Sequence, residues 1–423
     1  MKTFLRLGLD LATSPRTIRS LGEPLFWILR RRTKKPRNLA HARRILILRL
    51  DAIGDMVLMT PFICELRHSL PEAWITLAVS KTTFNLVELC PYVNEVLALE
   101  PPAPGRLMAA RQIWGALKFA SVHFWRRRFD VALVPRWDVD HYAASFLAYF
   151  SGAVCRIGYS EKIRTFKSEV NRNYDLLYSQ VFNSVQLRHE VLRNLDLLKC
   201  LGLDPKDPRL ELWTSVGDEV VVQRLLESSE QKFYETRIAL ALGTTDPKKA
   251  WPLTRYIQIG KWLVERGNIR LVLVGGEKEL ELGDRFAREI PSTLNLTGKL
   301  SLRQTAVLLE RCQLYIGNDT GPMHLAAAMG TPVVEICCHP VSGDLKHYNS
   351  PARFGPWGVP RRVLQPSSAQ GHCQEGCIAS EPHCILGVHV EAVQEAILSL
   401  LPSELAAKAD GSPRGSNRSI VHF

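Results

Sequence analysis

No apolar run in this 423-residue chain approaches the roughly 20 residues that a spanning helix needs, so an integral membrane protein is not expected. Acidic residues are almost missing from the first 44 positions. Asp10 and Glu23 stand there against twelve Lys and Arg, so this stretch carries +10 of the formal net charge of +12. A body binding nucleic acid would spread its basic charge more widely, and no nucleic-acid partner is expected. A dense cysteine framework is also absent. Cys64, Cys90, Cys155, Cys200, Cys312, Cys337 and Cys338 lie in apolar contexts and read as buried, reduced thiols, which suits a cytoplasmic protein. Asp10, Arg16 and Arg19 interrupt any apolar core of a secretion signal. The fingerprint G-x-G-x-x-G is missing too, so a redox dinucleotide is not indicated.

What is present divides into five stretches. Residues 1–43 form a basic amphipathic leader, in which Phe4, Leu9, Ile18, Leu21, Leu25, Phe26 and Ile28 precede the run Arg30-Arg31-Arg32-Thr33-Lys34-Lys35. That pattern suits a helix lying on an anionic membrane surface, and a solvated leader without a partner is the alternative. Residues 44–210 and 236–402 each alternate apolar strand patterns with helical ones, as in a doubly wound parallel sheet. A Pro-rich break at Gly202–Pro208 announces a linker over 211–235, and 403–423 reads as a disordered tail. Within the first half, residues 106–128 form a basic amphipathic helix, read as a core helix with a solvated end.

Ligands of open α/β sheets bind beyond the carboxyl ends of the strands, and four loops there carry suitable groups. In Asp51–Asp55, Gly54 permits a tight turn and leaves Asp55 at a helix start, either as a general base or as an ordinary helix cap. Thr244, Thr245 and Lys249 offer two hydroxyls and an ammonium to diphosphate oxygens, unless they form a solvated basic turn. Gly275-Gly276 allows close backbone approach, and Glu277 and Glu279 offer carboxylates to ribose hydroxyls. Asn318–Val334 runs from a buried strand through Asp319-Thr320-Gly321 into a helix marked by Pro322, an arrangement that turns main-chain N–H groups toward an anion flanked by Asp319 and His324. A fifth feature is His372-Cys373 to His383-Cys384, which includes Cys377. Its x3 and x6 cysteine spacing is irregular for a zinc ribbon, so a structural loop is the preferred reading and zinc the alternative.

Four segments together resemble the ADP-heptose:lipopolysaccharide heptosyltransferase family, the GT-B glycosyltransferases of family nine. They are Ile45–Pro61, Gly243–Pro252, Leu273–Gly276 and Asn318–Leu325, and the resemblance extends over about residues 44–402. It implies an α/β GT-B fold of two Rossmann-like domains facing a cleft, the first for the acceptor and the second for the nucleotide sugar. Asp55 would deprotonate the acceptor hydroxyl, and inversion at the anomeric carbon would expel ADP. Thr244, Thr245 and Lys249 would hold phosphates, Glu277 or Glu279 would meet the nucleoside, and Asp319 the donor sugar. Thr320, Gly321 and His324 would assist at the departing diphosphate.

No cofactor is implied beyond the ADP-sugar co-substrate. Asp138-Val139-Asp140 spells a metal motif but lies in the acceptor half, so metal-independent transfer is expected. The phosphorylated core of lipopolysaccharide is anionic, which makes Arg136, Arg156, Lys162 and Arg164 candidates for acceptor binding, although Arg156 and Arg164 equally suit structural charges. The expected location is the inner face of the cytoplasmic membrane, through residues 1–44. The alternatives are the same fold with another nucleotide sugar or acceptor, and a non-catalytic sugar-nucleotide-binding protein.

Overall fold

The computed structural model describes residues 13–31, 39–100, 108–229, 236–369, 373 and 380–401; the expected tail, His372 and Cys377 lie outside them. The chain forms two compact units, Met1–Ser215 with Leu345–Trp357, and Val216–Asp344 with Gly358–Phe423.

The first unit is built on six parallel strands, β1 (Arg44–Arg49), β2 (Trp74–Ser80), β3 (Glu95–Leu99), β4 (Val131–Val134), β5 (Cys155–Tyr159) and β6 (Gln180–Phe182). They lie in the order β3-β2-β1-β4-β5-β6. The central strands are continuously apolar because helices cover both faces of a parallel sheet: Ile45 to Leu48 of β1 and Val131 to Val134 of β4 are all buried. The leader is not a separate appendage. Its helix, Pro15–Arg31, lays Phe26 into this unit's core, with its ring 4.9 Å from Tyr149 and 6.1 Å from Phe150. The other side of the helix leaves Leu21, Leu25 and Ile28 exposed. In Met108–His123, Ile113, Ala116 and Ala120 are buried while Trp114 faces solvent.

The second unit repeats the winding. Strands β7 (Thr236–Ala241), β8 (Ile269–Leu273), β9 (Leu294–Asn295), β10 (Leu314–Asn318), β11 (Val333–Ile336) and β12 (Arg361–Leu364) lie in the order β12-β11-β10-β7-β8-β9. Numbered within each unit, both sheets follow 3-2-1-4-5-6, the order of dinucleotide-binding folds. Trp251 and Tyr256 join Ile238, Leu240, Leu314 and Ile316 in this core.

Three readings are corrected by this arrangement. Much of the presumed linker is the helix Val216–Ser229, which belongs to the second unit. Val222 and Leu226 are buried one turn apart, and Asp218 pairs with Arg303 at 2.8 Å, so the helix has a core face that a Pro-rich break nearby obscured. The second domain is also not continuous, because Leu345–Trp357 returns to the first unit. Finally, Cys200 is exposed rather than buried.

What holds the returning segment is charge. The Arg353 guanidinium is fully buried, with Nη1 donating to Asp138 Oδ2 at 2.9 Å and Nη2 to Glu190 Oε1 at 2.6 Å. It lies 4.6 Å from the ring centroid of buried Trp137, and Arg193, also bonded to Glu190, lies 4.0 Å from the same ring. Burial acts to raise the Asp138 carboxyl, yet Arg353, Arg136 and Arg164 outweigh it and hold its pKa at about 2. Replacing one partner of such a pair strands the others without compensation, at about 3–5 kcal/mol.

The second unit has the opposite problem. Glu335 on β11 is fully buried beside Gly317 of β10, and neither carboxylate oxygen makes a hydrogen bond of ordinary geometry. Burial, followed by the charge of Asp319, pushes its pKa well above the usual range, with the Cys337 thiol, Lys249 and Arg361 opposing.

Two stability experiments follow from these groups. Arg353→Ala is expected to lose about 3–5 kcal/mol in the unfolding transition of the first unit, read by urea denaturation; a loss under about 0.5 kcal/mol would show that the network does not anchor the segment. For Glu335, the native state keeps a proton that the unfolded chain releases above its ordinary carboxyl pKa. Stability therefore falls as pH rises past that value, by up to about 1.4 kcal/mol per unit until the raised native pKa is reached. Glu335→Gln is expected to flatten this slope between pH 5 and 7.5, and an unchanged slope would refute the buried neutral acid.

Candidate active site

Both sheets reverse their strand order between their first and fourth strands, where ligands of such sheets bind. In the first unit these are β1 and β4, paired as Ile45↔Val131, Leu46↔Ala132 and Ile47↔Leu133. That register brings the end of β1 against the loop after β4. Arg49, the last residue of β1, is 1% exposed and donates to the Pro135 carbonyl. Its Nη2 lies 2.9 Å from Asp55 Oδ1 and its Nε 3.0 Å from Asp51 Oδ2. From the other side, Arg136 Nη1 lies 2.9 Å from the same Asp55 oxygen and 3.4 Å from Asp51 Oδ1.

Two carboxylates thus share two guanidiniums, but their settings differ. Asp51 is enclosed; burial raises its pKa, Arg136 and Arg49 draw it back, and the charge of Asp55 adds to the rise. Asp55 sits in the first turn of the helix Ile53–Val57, where the positive helix end favours a carboxylate, and its side chain is 14% exposed. Burial works against the Arg136 charge, yet Asp51 and Asp55 more than offset it and raise its pKa. Tyr142 stands beside the group, its hydroxyl pKa raised by burial and then by Asp51. A hollow of about 70 Å³ opens next to it, lined by Leu50, Ser80 and Leu99 at the ends of β1 to β3 and by Arg111 of the helix Met108–His123.

Lys167 steadies the Arg136 loop from below. It is buried, and its ammonium donates to the carbonyls of Trp137 at 2.9 Å and Tyr159 at 3.1 Å. Burial lowers its pKa to about 8, with Asp138 and Asp140 opposing. Asp138 and Asp140 are themselves committed to structure. Asp138 serves Arg353 and Arg164, while Asp140 accepts from the Ala144 and Ser145 N–H groups and the Ser145 hydroxyl at the start of Ala144–Phe150.

In the second unit the matching strands are β7 and β10, paired up to Ala241↔Gly317. Continuing that register sets Asp319 level with the Gly243 loop. Lys249 Nζ lies 3.5 Å from Asp319 Oδ2, and His324 Nε2 lies 3.9 Å from Oδ1. Asp246 caps the short Pro247–Lys249 turn by accepting from the Lys248 N–H at 3.2 Å, which leaves Lys249 at the turn's end. Beneath, Asn318 is buried and ties the turn down, accepting from Tyr256 Oη at 3.1 Å and donating to the Ile336 carbonyl at 3.1 Å. Thr320 caps Gly321–Ala328 without a side-chain bond to its N–H groups. Pro322 has no N–H and Met323 returns its own to Thr320 at 3.1 Å, so main-chain donation here falls to Thr320 and Gly321.

Several expected residues are therefore gathered: Asp55 with Arg136 in one unit, and Lys249, Asp319 and His324 in the other. Thr244 and Thr245 lie on the same loop as Lys249, with Thr245 exposed. Glu279 spends a carboxylate oxygen on the Gly276 N–H at 2.8 Å, and its side chain fills the space that a Cβ at Gly243 would need. Glu277 is exposed beside it. Arg156 is not brought to Asp55. Its buried guanidinium donates to the carbonyls of Leu177 and Ala153, both at 2.8 Å, because it closes the end of β5 rather than facing a ligand. Arg164 pairs with Asp138, and Lys162 is exposed beyond β5. Arg49, Asp51, Lys167 and Glu335 were missed. Arg49 carried a readable signal, since a charge closing an apolar buried strand must be paired.

Among the described residues no helix is long and apolar enough to cross a membrane. Cys373, His383 and Cys384 form a cluster of possible metal ligands in the second unit.

Residues 125–374 match the family described as glycosyltransferase family 9 (heptosyltransferase). A lipopolysaccharide core heptosyltransferase of Haemophilus influenzae is 23% identical over 79% of this chain and 84% of its own. A glycosyl transferase family 9 structure from Veillonella parvula superposes with a TM-score of 0.69 at 22% identity, covering 85% of this chain and 97% of the other. The ADP-heptose lipopolysaccharide heptosyltransferase II of Escherichia coli gives 0.60 at 21% identity, covering 85% and 99%. These likenesses establish a GT-B α/β fold, and with the matched span they make the chain a glycosyltransferase that belongs to family 9, the heptosyltransferases.

Proposed function

We propose that the chain transfers a heptose from ADP-heptose to the inner core of lipopolysaccharide with inversion, using Asp55 as general base. The observation that carries this reading is the reachable carboxylate of Asp55, fixed by Arg49 and Arg136 at the first unit's strand switch. The substrate classes are those of the relatives, one a lipopolysaccharide core heptosyltransferase and one an ADP-heptose enzyme. In the proposed step Asp55 takes the acceptor hydroxyl's proton while that oxygen bonds to the anomeric carbon. The bond from that carbon to the diphosphate breaks on the opposite face, and ADP leaves with the electron pair.

The second unit serves the donor. Lys249 places its ammonium against the charge growing on the leaving diphosphate, with Thr244, Thr245 and the Thr320 and Gly321 N–H groups adding donors. Asp319 repels phosphate and so suits sugar hydroxyls, with Lys249 and His324 steadying it. Glu277, with its carboxylate exposed, suits the nucleoside better than Glu279, which is occupied. Arg136 and exposed Lys162 favour an anionic acceptor. No metal takes part in the proposed transfer.

The enzyme is proposed to work at the inner face of the cytoplasmic membrane. Leu21, Leu25 and Ile28 recur at i, i+4 and i+7 on the Pro15–Arg31 helix and are exposed together, while Phe26 holds the helix to the fold. The basic run Arg30–Lys35 follows in sequence, each charge near an anionic surface contributing about 1 kcal/mol.

Two measurements test these proposals. Asp55→Asn is expected to lower kcat by about 10²–10⁴-fold without changing ADP affinity, read by mass change of truncated lipopolysaccharides. Undiminished turnover would remove the base, and a wild type that binds ADP but transfers nothing would favour a non-catalytic binder. Replacing Leu21, Leu25 and Ile28 together by Ser is expected to abolish co-sedimentation with phosphatidylglycerol vesicles while transfer to a soluble acceptor persists. Unchanged sedimentation would sink the membrane assignment.

A further inference from the structure

The segment after β12 carries chemistry that sugar transfer does not use. Cys373 Sγ, a ring nitrogen of His383 and Cys384 Sγ all lie within 4.8 Å of one another, although Cys373 and Cys384 are eleven positions apart. Cys373 Sγ is 2.6 Å from His383 Nε2. A tetrahedral zinc ion, with bonds of about 2.3 Å to sulfur and 2.0 Å to nitrogen, spaces its ligand atoms about 3.5–3.8 Å apart. Small side-chain adjustments therefore bring all three onto one ion.

The imidazole is already set for this. His383 Nδ1 lies 3.1 Å from the Glu381 carbonyl oxygen, which can only accept. The ring proton is therefore on Nδ1, and Nε2 presents its lone pair toward the Cys373 sulfur. A backbone carbonyl behind the non-ligating nitrogen is the usual way in which a metal-binding histidine is oriented.

The frame is rigid on one side. Cys384 is 4% exposed and opens the turn Cys384–Gly387, whose Ile385 is fully buried in the second unit's core. Arg255 Nη1 donates to the carbonyls of Leu386 at 2.8 Å and Val388 at 2.7 Å, and Trp251 Nε1 reaches the latter at 2.9 Å. The irregular spacing that favoured a metal-free loop is immaterial once the three groups lie together. Two thiols and an imidazole are soft and borderline ligands, suited to zinc and unsuited to magnesium or calcium.

We propose that Cys373, His383 and Cys384 bind one zinc ion, a structural site that clasps the chain at Cys373 to the Cys384 turn. The three side chains leave the fourth position of a tetrahedral ion to water. Binding releases the two thiol protons, so the site loads better as pH rises. Through Trp251 and Arg255 the clasp braces the chain that follows Lys249, but the site stands independently of the transferase reading.

Full-length protein, purified without chelator, is expected to contain about one zinc per chain by elemental mass spectrometry. Cys373→Ser and Cys384→Ser should each lose the metal, while Cys200→Ser, outside the cluster, should keep it. Chelation should lower the wild-type Tm, and added zinc should restore it. Cys373 is only partly buried, so retention of the native circular dichroism by Cys373→Ser would separate metal loss from misfolding. A wild type that is metal-free, refuses added zinc and keeps thiols reactive to a disulfide reagent would overturn the proposal. So would a Cys373–Cys384 disulfide in the intact mass, or iron in place of zinc.

Discussion

A buried charge must be paired, and the first unit is organised by that requirement. Arg49, Arg193 and Arg353 are each at most 1% exposed. Each reaches a buried or half-buried carboxylate: Arg49 meets Asp51 and Asp55, Arg193 meets Glu190, and Arg353 meets Glu190 and Asp138. None of these groups can be moved without exposing another to a low-dielectric surround that gives nothing back. The consequence is positional: Trp137 is held between two guanidiniums, Arg136 next to it is held by Lys167 and two carboxylates, and Asp55 is held by Arg136 and Arg49. The chain that returns as Leu345–Trp357 is part of the same accounting, because Arg353 neutralises Asp138 one residue from Trp137.

The second unit reaches a similar loop arrangement with less charge. Its turn at Asp319 is tied by the amide of Asn318 and by apolar packing of Met323 and Leu325, both fully buried. Lys249 and His324 flank the carboxylate from either side. Glu335 on β11 is buried in the same unit, and it is tolerable because burial and Asp319 both favour its uncharged form. A neutral acid there adds no second negative charge near a site proposed to receive a diphosphate.

The two sheets and the four loops beyond their strands were legible because they depend on local pattern. Continuous apolar runs such as Ile45–Leu48 mark parallel strands, and glycine-bearing turns after them mark the loops at the strand ends. Long-range events were not legible. Nothing near Arg353 announces that its partners lie 163 and 215 residues earlier, so Leu345–Trp357 reads as part of the second domain. The helix Val216–Ser229 was hidden by the Pro-rich segment before it, and Arg156 looked like an acceptor contact because sequence cannot say which carbonyls a guanidinium will find. The fixing of Asp55 by Arg136 depends on the β1–β4 register, which pairs residues 86 apart.

That register also decides between two carboxylates that the sequence presents almost identically. Asp51 and Asp55 are four residues apart, on one loop, and both meet Arg49 and Arg136. Burial raises the pKa of Asp51 against the pull of Arg136 and Arg49, and its side chain is only 7% exposed, against 14% for Asp55. Asp55 has the better access, from the first turn of its helix. Asp51 is then best read as the second partner that keeps two arginines in place. Each arginine is thereby shared between two carboxylates, and the side chain proposed as the base is held in place from both sides.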